Sequence, residues 1–267
     1  MKYGTRTGVL KQPTERVFHE AQAIGFQGLE LDLARDFRQD ILWTRAGRER
    51  LLQLAGETGV EVASVCLGAL WGQTFASDDP DDRARAAEIV TAAARFTPEL
   101  GTRVILVPIV GVAEQNPALG TARWIEGLRE CAPVAEASGS ILALENVGRS
   151  PANSAPAILN ILDAVGSPAV KAYYDVGNGK SLGYDPIEEL QLLGERIAQV
   201  HIKGARSAQL WENTLDMSAV ARTLKGIGYD GYLVFETQAT ENPSEGAARN
   251  LKLLKEYIQE AYGSPAA

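Results

Sequence analysis

Four short runs in the second half of the chain decide the fold: Ser140-Ile141-Leu142-Ala143-Leu144-Glu145, Val170-Lys171-Ala172-Tyr173-Tyr174-Asp175, Ile197-Ala198-Gln199-Val200-His201-Ile202-Lys203 and Gly231-Tyr232-Leu233-Val234-Phe235-Glu236. Each is apolar, rich in strand-forming residues and too short for a helix. Helical stretches follow them at 155–165, 186–194, 216–227 and 245–262, the second opening on Pro186, which suits a first turn. The first half keeps the same rhythm. Apolar runs at 3–10, 28–32, 60–67 and 103–107 alternate with helical stretches at 14–24, 45–58, 81–100 and 121–138. Thr14 is the expected N-cap of the first helix, and Gly25, Gly59 and Gly101 are expected stops. Pro133 lies inside the fourth helical stretch and is a potential kink.

Strands alternating with helices imply parallel pairing through crossovers. Eight such units in a chain of 267 residues predict an α/β protein of the (β/α)8 barrel type. A doubly wound open sheet is the rival, but no Gly-x-Gly-x-x-Gly follows the first strand. Composition does not shift along the chain and no linker interrupts it, so residues 1–267 read as one domain.

Hydrophobic residues make up 45% of the chain and charged residues 22%, with a net charge of −8. That balance argues against nucleic-acid binding, which needs a basic face. No apolar run is long enough to span a membrane, and the N-terminus lacks a secretory signal. The two cysteines, Cys66 and Cys131, form no disulfide framework and read as small buried residues. The expectation is a cytoplasmic protein.

A barrel enzyme places its chemistry where the strands run out into the following loops. Strands five to eight finish at Glu145, Asp175, His201 and Glu236. A carboxylate at the end of a buried strand is costly unless a charge meets it. Three carboxylates and one imidazole on adjacent strands suit a divalent ion, such as Mn2+, Mg2+ or Co2+, better than a closed structural zinc site.

The segments Leu-Glu-Asn-Val at Glu145, Tyr-Asp-Val-Gly-Asn at Asp175, Val-His-Ile-Lys-Gly at His201 and Val-Phe-Glu-Thr at Glu236 resemble the sugar phosphate isomerase/epimerase family of xylose isomerase-like TIM barrels, which includes ketose 3-epimerases. Ile-Gly-Phe-Gln-Gly-Leu-Glu-Leu, around Glu30, is similar to that family's second strand. The resemblance implies that Glu145, Asp175, His201 and Glu236 hold one divalent metal, Mn2+ foremost, with Mg2+, Co2+ or Zn2+ as alternatives. It also implies that Glu145 and Glu236 move protons. The expected activity is epimerisation or isomerisation of a small sugar or sugar phosphate by proton transfer beside a carbonyl, with the metal stabilising an enediolate. Three positions depart from common family patterns: Asn178 stands where a histidine is frequent, Gly204 where an aspartate is, and Pro151 where ketose epimerases carry a second glutamate.

Further candidates for substrate contact are Arg149, Asn178, Lys203, Arg206, Glu30 and Trp71, with Trp211 weighed as a second aromatic wall. For Lys203 the alternative is a partner for Glu236; for Glu30 it is a structural hydrogen bond. His19, on the first helix, reads as surface or core. Competing functions are a lyase or dehydratase on a keto-sugar or keto-cyclitol, and a non-catalytic sugar-binding relative. An endonuclease IV-type hydrolase is disfavoured, because its three-zinc cluster needs several histidines and the chain has two. Homo-oligomers are common for such barrels, but no sequence feature marks an interface.

Overall fold

In a computed structural model that describes residues 1–111, 116–148 and 150–263, eight parallel strands close on themselves in chain order, with β8 returning to pair with β1. They are β1 (Lys2–Arg6), β2 (Gly28–Asp32), β3 (Glu61–Cys66), β4 (Val104–Pro108), β5 (Ile141–Glu145), β6 (Val170–Asp175), β7 (Ile197–Ile202) and β8 (Tyr232–Phe235). The expected (β/α)8 barrel is therefore the fold. Its register places Pro108 beside Glu145, Glu145 beside Tyr173 and Asp175 beside His201. These pairings carry the strand-end groups to one rim.

Helices surround the sheet and bury apolar residues against it. One cluster joins Leu29, Val65, Leu144, Ile202 and Phe235 on strands to Phe18, Leu54, Leu128, Leu162 and Leu251 on helices. The helices start and stop on local chemistry. Thr44, Asp79, Ser154 and Asp216 each accept a backbone N–H from the first turn that follows, contributions of about 1 kcal/mol apiece. Gly25, Gly59, Gly139 and Gly166 end helices in the left-handed conformation that glycine adopts without strain.

The barrel interior is different in kind. A small apolar cluster of Cys66, Leu106, Ala143 and Tyr173 shares it with the buried polar residues Glu30, Ser64, Gln199 and His201. Side chains on a strand alternate between faces. Ala143 and Glu145, Tyr173 and Asp175, and Gln199 and His201 are therefore successive inward positions on one strand each. The upper layer carries the strand-end groups and the lower layer supports them.

The structure corrects several boundaries. The run at 3–10 is a strand only to Arg6; Thr7–Leu10 is a separate helical turn. Thr14 is the first helical residue rather than the cap, and the cap position, Pro13, makes no side-chain bond. The helix begun at Pro80 ends at Phe96 and tightens into a 3-10 turn over Thr97–Leu100. The helix Pro117–Ser138 continues through Pro133. A short helix, Val176–Ser181, was not expected from the sequence. Glu236 lies one residue beyond β8, although its N–H still donates to the Ile202 carbonyl.

Candidate active site

Glu145, Asp175, His201 and Glu236 come together at the rim formed by the C-terminal ends of β5 to β8. Each offers one donor atom, and these atoms lie within 4.8 Å of one another. His201 Nδ1 is 3.0 Å from Glu145 Oε1, 3.4 Å from Glu236 Oε2 and 3.6 Å from Asp175 Oδ2. Glu145, Asp175 and His201 are buried, while the Glu236 side chain keeps 19% of its surface exposed. Access to the cluster is therefore on the Glu236 side.

Local bonds fix these side chains. Asp175 caps the helix that follows it, accepting the Asn178 N–H at Oδ1 over 2.7 Å. Asn146, next to Glu145, grips the Asp175 backbone from both sides: its Oδ1 accepts the Asp175 N–H at 2.7 Å and its Nδ2 donates to the Asp175 carbonyl at 3.0 Å. Gly177, in the same short helix, leaves the space that Lys203 uses. A Cβ there would lie 2.4 Å from Lys203 Cγ and 2.6 Å from the Gly204 carbonyl oxygen.

Two permanent cations reach into this network. Lys203 Nζ lies 2.7 Å from Asp175 Oδ2 and 2.5 Å from Glu236 Oε2. Arg6 pairs with Glu236, Asp32 and, at 3.4 Å, Glu30. Five connected carboxylates (Glu30, Asp32, Glu145, Asp175 and Glu236) thus face two fixed positive charges.

The surroundings drive the two glutamates apart. Burial, then the charge of Glu236, raises the proton affinity of Glu145 despite its bond to His201. Burial would raise Glu236 as well, but His201, Lys203 and Arg6 outweigh it and hold that carboxyl well below the usual range. Burial lowers His201, yet Glu30, Glu236, Asp175 and Glu145 outweigh that and push it well above its ordinary value.

The other expected contacts are placed unevenly. Glu30 is not at a strand end. It sits mid-way along β2, fully buried, and bonds to His201 Nε2 at 3.0 Å, so it has no surface to offer a substrate. Asn178 Nδ2 donates to the Asn146 carbonyl at 3.0 Å. Lys203 pairs with Glu236, the alternative weighed for it, and also with Asp175. Arg206 is exposed and left-handed (φ 57°) in the loop after β7, its N–H donating to Ser181 Oγ. Trp71 is 56% exposed in the turn after β3. Trp211 carries Arg249 over its ring at 4.3 Å. Arg149 lies outside the described residues. His19 is exposed on the helix Thr14–Ile24, and Cys66 and Cys131 are free and buried.

Arg6, Asp32 and Asn146 were not singled out in the sequence. Arg6 was hidden because the run at 3–10 reads as one strand; dividing it at Arg6 would have put a cation at a strand end, level with Glu236. Asn146 stands in the quoted Leu-Glu-Asn-Val segment, but its backbone partner 29 residues away has no local signature.

The donor set fits a divalent cation. Three carboxylates and one imidazole nitrogen converge, oxygen donors dominate, and the excess of buried negative charge is what a doubly charged ion offsets.

The comparisons agree with this architecture. The family model for xylose isomerase-like TIM barrels matches residues 18–257. The L-ribulose-5-phosphate 3-epimerase UlaE of Salmonella typhi is 30% identical over 241 residues, covering 86% of this chain and 84% of that protein. Such relatives are epimerases, enzymes of the isomerase class. Among solved structures, an L-ribulose 3-epimerase superposes with a TM-score of 0.84 at 21% identity, covering 98% of this chain and 95% of its own. The 3-keto-D-glucoside 4-epimerase YcjR of E. coli gives 0.83 at 20% identity, with coverages of 96% and 99%. At those identities the superpositions speak for the fold. No helix among the described residues is long and apolar enough to cross a membrane. The chain belongs to the family of xylose isomerase-like TIM barrels.

Proposed function

We propose that the chain is a divalent-metal-dependent epimerase of a ketose or ketose phosphate, working in the cytoplasm as a one-domain barrel and exchanging a proton on the carbon next to the carbonyl. The observation that carries this reading is the convergence of Glu145, Asp175, His201 and Glu236 at one rim. The 30% identity to L-ribulose-5-phosphate 3-epimerases makes a pentulose 5-phosphate the first substrate to try.

Glu145, Asp175, His201 and Glu236 would hold the divalent ion, Mn2+ by preference, and when bound it would supply Lewis-acid stabilisation of the negative charge that develops as the proton leaves. The chain's own groups move the proton. Epimerisation needs one group to remove it from one face and a second to return it to the other. Glu145 ends β5 and Glu236 follows β8, and their proton affinities are pushed in opposite directions, the asymmetry that suits an acid and base pair. Lys203 and Arg6 hold Glu236 in place. Arg206 and Trp71, both exposed in loops at the same rim, are the proposed outer contacts for the sugar, together with Arg149.

The test is turnover of a pentulose 5-phosphate after chelation, after re-addition of Mn2+, and in Glu236→Gln. Loss on chelation, recovery with Mn2+, and an inactive but folded variant are expected. Turnover indifferent to chelation and to the substitution overturns the reading.

A further inference from the structure

We infer that Glu30 is the positioning residue for His201, accepting its Nε2–H and so presenting Nδ1 as the nitrogen that meets the metal. This rests on the metal-dependent reading above.

The two ring nitrogens have different surroundings. Nε2 is 3.0 Å from Glu30 Oε1. Nδ1 faces the three other members of the cluster at 3.0 to 3.6 Å. A neutral imidazole carries one proton, and the nitrogen that donates it leaves the other as the lone-pair donor. Glu30 is ideally placed to take that proton, because its other oxygen is already committed. Ser64 Oγ and Tyr173 Oη donate to Oε2 at 2.7 and 2.8 Å. Gln199 Nε2 lies 2.7 Å from Ser64 Oγ and 2.9 Å from Tyr173 Oη and donates to both. An amide nitrogen has only donors to give, so both hydroxyls must point their own protons at Glu30.

The carboxylate is thus anchored from below by a closed set of hydrogen bonds and has one oxygen left for the imidazole. Arg6 Nε, 3.4 Å from that oxygen, adds a positive charge beside it. The Tyr173 ring packs at 4.5 Å, centroid to centroid, against the His201 ring and restricts its tilt. Glu30, Ser64, Gln199 and Tyr173 are all buried, so bulk solvent does not reach the Nε2–H. A partner of this kind fixes the tautomer and orientation of a metal-binding histidine, and its loss typically costs about 10- to 100-fold in metal affinity.

The test exploits the chain's two histidines, His19 and His201. Ring nitrogens of 15N-histidine-labelled protein loaded with Zn2+ are read by NMR, with His19→Asn identifying the His201 signals. The expected pattern is a protonated Nε2 and a metal-bound Nδ1. In parallel, Mn2+ affinity is measured by equilibrium dialysis, where Glu30→Gln is expected to weaken binding by about 10- to 100-fold. A metal-bound Nε2, or an unchanged Mn2+ affinity in Glu30→Gln, overturns the inference. Should Glu30→Gln fail to fold, the NMR of the unaltered protein decides. Absence of Mn2+ and Zn2+ binding to the unaltered protein overturns the metal-dependent reading itself, which separates the two failures.

Discussion

The ammonium of Lys203 lies 2.5 Å from the carboxylate of Glu236, across the step from β7 to β8, with only 5% of the lysine side chain exposed. Removing one partner of a buried pair leaves an uncompensated charge, at a cost of about 3–5 kcal/mol. Lys203→Met is therefore expected to destabilise the metal-free protein by that order, since Asp175 and Glu236 each lose a buried counter-ion and keep only His201 and, for Glu236, Arg6. Added Mn2+ should restore more stability to the variant than to the unaltered chain. Thermal unfolding with EDTA and with Mn2+ measures both effects; equal metal responses in the two proteins would count against Lys203 as the charge partner of the cluster.

Glu145 makes the opposite prediction for stability. Its carboxyl is raised from the ordinary 4.5 by burial and by Glu236. The folded protein therefore holds this proton more tightly than the unfolded chain does. Its contribution to stability is present below the unfolded value and is lost as pH rises through the raised one. Glu145→Gln, which carries no charge, should stabilise the metal-free protein at neutral pH by about 1 kcal/mol, roughly 3 °C in a chain of this size, while abolishing activity. Melting curves from pH 4 to 8 in EDTA check it. A lower melting temperature at neutral pH contradicts the burial argument.

How much of this was legible in the sequence follows from what each feature depends on. The barrel was readable because eight apolar runs alternate with helices whose glycine stops are local signals; the helices 45–58 and 155–165 and strands β2 and β6 have the expected ends. The four converging groups were readable because each stands at or within one residue of the end of an apolar strand, His201 being followed by Ile202 in β7. What remained hidden is non-local. Glu30 meets His201 across 171 residues, Gln199 meets Ser64 across 135 and Tyr173 meets Glu30 across 143. Nothing near any of them in the chain marks a buried polar layer. For Glu30 the two readings, substrate contact and a structural hydrogen bond, stayed level because a strand residue near the rim looks the same in sequence whether it faces the mouth or lies one layer down; the structure shows the hydrogen bond.

Metal binding should displace a proton. Carboxylates face both nitrogens of His201, and although burial opposes it, they hold the ring in its charged form well above its ordinary value. A ligating nitrogen must give up its proton. Mn2+ affinity is therefore expected to rise with pH through neutrality, with protons released from His201 and from whatever fraction of Glu145 is still protonated. Calorimetry in buffers of different ionisation enthalpy measures the release; pH-independent binding with no proton release contradicts this account of His201.

On the proposed function, the cluster of Glu145, Asp175, His201 and Glu236 exchanges a proton on the carbon beside a carbonyl. The most direct measurement incubates the Mn2+-loaded protein in D2O with a panel of ketoses and ketose phosphates, following deuterium by NMR and mass spectrometry. One deuterium is expected at the carbon adjacent to the carbonyl, in an epimerised product of otherwise unchanged mass. Loss of water or of a leaving group points instead to a lyase, and no deuterium entering any substrate of the panel contradicts the claim.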